Sequence, residues 1–359
     1  MAGEGGGMDE VRIAVVGTGL VGRRHVEAIA RTRGTRLACT VEPSDDGYAA
    51  ALGVPCHRGI EAMLGTPGID AVILATPTPL HAAQGIACVG AGLPVLVEKP
   101  IAVTAAEGRA LVEAGEAAGV PVLVGHHRRH NPIVRRAAEM IGDGAIGAIR
   151  AVQATCWLGK PDGYFEEAPW RTREGAGPVS VNLVHDVDLL RHLCGEVTSV
   201  QAQAAPSARG HENEDVAAAL LRFASGALGT ISVSDAVPAP WSWELTSGEH
   251  PIYARTSQSC YLIGGSLGSL SLPDLTLWRH DGEAGWWGPI SATVAPRPAR
   301  DPLEAQIAHL ADVARGNAAP LVSGREGLGT LEVIEAIQTA ARTGGEVRPG
   351  GGPAGNDTL

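Results

Sequence analysis

Short β-branched apolar runs alternate with helix-compatible stretches over the first 126 residues: Val11 to Val16, Leu37 to Val41, Ala71 to Ala75, Pro94 to Val97 and Val122 to Val124. Unbroken apolar runs belong to strands covered on both faces, and their alternation with helices predicts a doubly wound parallel sheet. Beyond residue 150 the pattern becomes apolar–polar alternation, in Ile149 to Trp157, Val197 to Ala205, Ala217 to Phe223, Ala227 to Asp235 and Ser269 to Trp278. Such runs, several joined by Gly-containing turns, predict a half-exposed, mainly antiparallel sheet. Helical spacing of apolar residues returns in Asn182 to Leu193, Pro302 to Arg315 and Arg325 to Arg342, the last expected to pack back on the first domain.

At 359 residues the chain has the length of about two domains. The division falls where the periodicity changes: all seven Trp lie beyond residue 150. Six dispersed cysteines without a C-x-x-C pair indicate neither a disulfide framework nor a cysteine metal site, and they suit a reducing cytoplasm. A net charge of −11 disfavours nucleic acid as the main partner and favours a small molecule. No apolar run approaches the roughly 18 residues of a membrane span, and the Gly-rich, acidic start predicts no export signal.

The first run, Val11 to Val16, leads directly into Gly17-Thr18-Gly19-Leu20-Val21-Gly22 and then a helical stretch. This is the strand–turn–helix setting in which G-x-G-x-x-G binds a dinucleotide: Gly17 for the tight turn, Gly19 for close approach of the diphosphate, Gly22 for helix packing. Thr18 and Leu20 complete that loop. Glu42 ends the second run 20 residues after Gly22, where a carboxylate hydrogen-bonds the ribose and repels a 2′-phosphate. NAD is therefore expected rather than NADP; the plainer reading of Glu42 is a solvated strand-end acid. The expected architecture is an α/β Rossmann domain over 8–126, an α+β substrate-binding and oligomerisation domain over 127–345 with a large open sheet, and a disordered tail over 346–359.

Val97-Glu98-Lys99-Pro100 ends another strand of the first domain, and Ala75-Thr76-Pro77-Thr78-Pro79-Leu80-His81 precedes it. With the glycine loop, with Gly125 to Pro132, with Pro169-Trp170-Arg171 and with Asn182 to Gly195 around His185, the chain resembles the glucose-fructose oxidoreductase/inositol dehydrogenase (Gfo/Idh/MocA) family over nearly its whole length. The resemblance implies an active-site lysine at Lys99 and a histidine at His185, with Thr76, Pro77, His81, Glu98, Lys99, Arg128, Trp170 and Arg171 near the cofactor. Many members carry an Asp four residues before that histidine; this chain has Val181 there and Asn182 next.

As a Ser/Thr/Asp/Asn-type N-cap, Asn182 would put His185 in a helix's first turn, where the helix dipole favours a neutral ring able to accept a proton. The chemistry implied is hydride exchange between a secondary alcohol and nicotinamide, with Lys99 or His185 as proton carrier. Lys160, Tyr164, Asn182, His185, Lys99 and Trp243 are the substrate candidates for a sugar, sugar acid, cyclitol or cyclic diol. The alternatives are hydrolysis or epimerisation through transient redox, and a nucleotide-sensing regulator that needs no proton carrier. Three His and two Arg in 126–130 lack an accompanying acid or thiol at ligand spacing, so no metal is expected. Trp-bearing strands on an open sheet predict a homodimer or homotetramer.

Overall fold

The computed structural model describes residues 10–44, 47–282, 284–297 and 299–351. The chain begins with β1 (Val11–Val16), α1 (Leu20–Arg31), β2 (Thr35–Val41), α2 (Tyr48–Leu52), β3 (Cys56–His57), α3 (Ile60–Leu64), β4 (Ala71–Leu74), α4 (His81–Gly90), β5 (Val95–Val97), α5 (Ala105–Ala118) and β6 (Val122–Val124). It continues with α6 (Pro132–Gly142), β7 (Ile149–Trp157), α7 (Asp162–Glu166), α8 (Val184–Cys194), β8 (Val197–Pro206), β9 (Glu214–Phe223), β10 (Leu228–Ser234) and α9 (Trp243–Ser247). The last elements are β11 (Tyr261–Gly265), β12 (Ser269–Leu272), β13 (Thr276–His280), β14 (Ile290–Val294), α10 (Pro302–Ala314) and α11 (Gly324–Thr343).

Two compact units result, one holding the chain up to His130 together with Arg300–Leu331, the other Asn131–Ala299 and the chain from Glu332. In the first, the strands lie in the order β3-β2-β1-β4-β5-β6, every pair parallel. The order reverses between β1 and β4, which is where a doubly wound sheet opens a crevice at its carboxyl edge. Alternate residues of each strand feed opposite faces. Ile13 and Val15 pack with Val26 and Ile29 of α1, while Ala14 and Val16 join the side lined by Leu111 and Val112 of α5.

The return of the chain to this unit is larger than expected. Leu303, Ile307 and Leu310 of α10, spaced four and three apart on one face, share the core of Ile13, Val15 and Ile29. Asp301 caps that helix by accepting the Leu303 N–H at 2.8 Å. The limit of 127–345 for the second domain is therefore corrected: residues 300–331 belong with the first, because α10 completes its α1 face while Val322, Leu328 and Leu331 join the α5 side.

The second unit has eight strands in the order β14-β13-β12-β11-β7-β10-β9-β8. All neighbours are antiparallel except β7 and β10, which run parallel from Leu228↔Ala151 to Ser234↔Trp157. One face buries α6, α8 and the second half of α11; the other leaves Gln153, Gln201, Leu220, Thr230 and Leu262 at the surface. The run expected over Ser269 to Trp278 is two strands: Pro273 lacks an N–H to donate, Leu275 turns at φ 54°, and Asp274 accepts the hydroxyls of Ser259 and Ser271 at 2.6 and 2.7 Å. The disordered tail expected over 346–359 is corrected at its start, because Val347 is buried and exchanges both backbone hydrogen bonds with Val200 at 2.8 and 2.9 Å; residues 352–359 lie outside the described residues. Among the described residues no helix is long and apolar enough to cross a membrane.

Candidate active site

The glycine loop is shaped by steric demands that can be read atom by atom. Gly17 sits at φ 87°, open to glycine at little cost, and a Cβ there would lie 2.7 Å from the Ala75 carbonyl oxygen. At Gly22 a Cβ would lie 1.9 Å from the Gly17 oxygen, so only glycine lets α1 approach the end of β1 this closely. Gly19 differs, for nothing stands within 4 Å of its Cβ direction, and it is the N-terminal cap residue of α1. Open space in front of the unsatisfied N–H groups of a helix N-terminus, with no acidic residue in its first turn, fits a dinucleotide diphosphate. Gly17, Thr18, Gly19, Leu20 and Gly22 are the residues that would hold it.

Glu42, just beyond β2, closes against the same loop. Its carboxylate accepts the Thr18 N–H at 3.0 Å and the Thr18 hydroxyl at 3.1 Å, while the Ser44 hydroxyl donates to its other oxygen at 3.1 Å. Burial alone would raise this carboxyl, but the donations from Thr18 and Ser44 outweigh it and hold it below the usual carboxylate range. A fixed negative charge thus stands beside the loop at neutral pH.

The loops after β4, β5 and β6 leave the same carboxyl edge. Thr76 donates its hydroxyl to Gln84 at 2.7 Å and accepts at its carbonyl from the His81 ring. His81 is not the ligand contact expected: its ring is buried, with Nδ1 2.9 Å from the Pro100 carbonyl and Nε2 2.8 Å from that of Thr76, which leaves no nitrogen for a cofactor. Glu98 likewise turns inward, one oxygen on His25 Nε2 at 2.7 Å and the other on the Lys99 N–H at 3.1 Å. Lys99 follows at the end of β5, half-buried. After β6, Arg128 and Arg129 are buried, Arg129 bonded to Glu326 at 2.9 Å, and the His130 ring packs 5.3 Å from that of His309.

In the second unit the parallel pairing of β7 and β10 brings their carboxyl ends side by side, and the chains beyond them stay together. Leu158 donates to Ser234 at 2.9 Å and Lys160 to Asp235 at 2.7 Å through the backbone. The Lys160 ammonium consequently lies 3.6 Å from the buried Asp235 carboxylate and 4.9 Å from the Tyr164 ring, whose face also carries the Arg171 guanidinium at 3.9 Å. Burial pushes the Lys160 ammonium below its ordinary range, and Asp235 only partly opposes this. Arg209 completes the cluster by donating to Asp235 at 3.2 Å. Neither Asp235 nor Arg209 stands out in the sequence, because nothing there reveals that β7 and β10 are neighbours. The neighbouring Trp170 is exposed.

Asn182 does not cap α8. Residues Val179–Leu183 form a wide turn and Leu183 occupies the cap position, so His185 is the second residue of the helix and the Asn182 Oδ1 is buried without a hydrogen-bond partner among the described residues. The acid of the first turn is instead Asp186, fully buried and accepting the Tyr261 hydroxyl. Trp243 is no pocket wall either: it is 1% exposed, stacks on Tyr261 at 5.8 Å and donates to Glu249 at 3.0 Å, because that slot of the core satisfies both its ring and its N–H.

A parallel sheet of this order with a dinucleotide loop fits a nicotinamide-linked oxidoreductase, and the comparisons agree. Residues 11–126 match the family model for the oxidoreductase family with an NAD-binding Rossmann fold, and residues 134–271 match that for the GFO/IDH/MocA C-terminal domain. The chain belongs to the Gfo/Idh/MocA family. It is 28% identical over 351 residues to the D-apiose dehydrogenase of Paraburkholderia graminis, covering 92% of this chain and 88% of that one. It is 31% identical over 243 residues to the NAD-dependent scyllo-inositol 2-dehydrogenase of Bacillus subtilis, covering 64% of this chain and 68% of that one. Among solved structures, the WlbA dehydrogenase of Bordetella pertussis, in complex with NADH and UDP-GlcNAcA, aligns with a TM-score of 0.76 at 28% identity over 97% of this chain and 100% of that one.

The charge on Glu42 sets the expected cofactor preference. Calorimetric titration should show NAD bound more tightly than NADP, and Glu42→Ala should narrow that gap by about tenfold, the effect of removing one close charge repulsion. A wild-type protein that prefers NADP contradicts the reading.

Proposed function

We propose that the protein is an NAD-dependent dehydrogenase acting on a secondary alcohol of a sugar, sugar acid, cyclitol or cyclic diol, with Lys99 or His185 as its proton carrier. The observation that carries this is Lys99, an amine at the end of β5 on the carboxyl edge that also holds the glycine loop and Glu42. The choice of lysine is informative: the sequence has only two, Lys99 and Lys160, among 28 basic residues, and an ammonium can release a proton where a guanidinium cannot. Bound NAD supplies the hydride acceptor. Lys99 or His185 removes the hydroxyl proton as the alcohol carbon gives up its hydride, and returns it in the reverse direction.

Substrate hydroxyls are held by Lys160 and Tyr164, with Asn182 offering a neutral amide. The Lys160–Tyr164–Arg171 stack supports this, since it fixes an ammonium and a ring edge in a rigid frame. The cytoplasm is the compartment we assign, in keeping with six cysteines that form no disulfide.

Lys99→Ala and His185→Ala should each lower kcat by about 10² to 10⁴, the range of a general acid–base contribution, while NAD affinity stays nearly constant. Near-full turnover in Lys99→Ala contradicts the assignment.

The exposed face of the second sheet carries Leu220, Leu228 and Leu262 among Gln, Thr and Ala, with few charges. We propose that a second copy covers it, giving a homodimer or homotetramer. Light scattering at micromolar concentration should read a multiple of the 36.8 kDa chain, and a monomer would refute it.

A further inference from the structure

Two buried histidines remain without a role in the reaction as proposed, and they bond the residues on either side of Lys99, His25 the Glu98 carboxylate and His81 the Pro100 carbonyl. His25 lies on the inward face of α1, fully buried, and its Nε2 holds Glu98 at 2.7 Å. The other Glu98 oxygen takes the Lys99 N–H at 3.1 Å. Gly125 seals this carboxylate from the far side, since a Cβ there would lie 2.9 Å from its carboxyl carbon. On the other flank His81, buried in the first turn of α4, reaches the Pro100 carbonyl at 2.9 Å and the Thr76 carbonyl at 2.8 Å. The ring thus bridges the β4 loop and the β5 loop.

We propose that His25 and His81 are positioning residues for Lys99. They hold the residues that flank it, His25 through the Glu98 carboxylate that takes the Lys99 N–H and His81 through the Pro100 carbonyl, and so register the lysine to α1, the helix whose N-terminus would take the diphosphate. The importance of the lysine rests on the dehydrogenase reading above; the clamp itself does not. Glu98 transmits the restraint as an anion. Burial would raise its carboxyl, but the hydrogen bond and charge of His25 outweigh burial and bring it down to about 2. The Glu98 charge is therefore present throughout the neutral range, on the carboxylate that takes the Lys99 N–H. Because α1 carries both Gly22 and His25, one helix both packs on the glycine loop and, through two hydrogen bonds, holds the Lys99 N–H.

The two lysines make the test clean. The full-length protein, saturated with NAD, is labelled with a trace of acetic anhydride across a pH series, and mass spectrometry reads Lys99 and Lys160 separately. In His25→Gln and His81→Gln, labelling of Lys99 at neutral pH should rise by about threefold or more as its backbone loosens, while Lys160 stays at its wild-type rate. Glu98→Gln, which keeps the volume but removes the charge, should do the same. Parallel changes at both lysines would mark a general loosening of the fold and overturn the proposal, as would an unchanged Lys99 profile in any variant that folds. Failure of all three variants to fold would assign the clamp to folding and overturn it too. No substrate is needed, so a Lys99 that proved dispensable for turnover would defeat the functional reading and leave this result standing.

Discussion

The approach of α1 to the end of β1 is the constraint from which the rest of the first unit follows. With a Cβ at Gly22 only 1.9 Å from the Gly17 oxygen, the helix reaches this position with glycine alone, and its N-terminus is thereby fixed at the carboxyl edge of the sheet. Two consequences share that one contact. The N–H groups of the first turn face open space where an anion is stabilised, and His25, one turn further along, is carried onto Glu98. Glu42 and Lys99 arrive from other strands, but the parallel order of the sheet delivers both to the same edge.

The second unit solves a different problem. An antiparallel sheet sends successive strand ends in opposite directions, which scatters the loops that could build a pocket. One parallel pair, β7 with β10, breaks that rule and brings Lys160 and Asp235 side by side. Burial of this pair, with Tyr164 under the ammonium and Arg209 on the carboxylate, costs solvation that the mutual contacts offset, and the result is a rigid polar cluster rather than a solvated surface.

Much of this was legible in the sequence because its signals are local. The apolar runs, their change of period near residue 150 and the spacing of Gly17, Gly19 and Gly22 each depend on neighbours along the chain, and the strands appear where those patterns lie. Features set by distant pairing were not. His25 reads as one more position on the α1 stripe until Glu98, 73 residues on, is seen to need a partner. Period-two alternation in β10 says nothing about which strand it joins or in which direction. Asn182 has the chemistry of a cap, yet the turn before α8 is wide enough that Leu183 takes the position. The large amphipathic ring of Trp243 suits a pocket and a core equally, and Glu249 with Tyr261 decides for the core.

What joins these observations is the claim that an NAD-binding edge and a lysine held upon it perform alcohol oxidation. The most direct measurement is spectrophotometric: purified protein with NAD or NADP is offered a panel of sugars, sugar acids, inositols and dihydrodiols, and formation of reduced nicotinamide is followed. The account predicts reduction of NAD, faster than of NADP, by at least one polyhydroxylated secondary alcohol. Tight binding of NAD with no reduction by any member of the panel would contradict it.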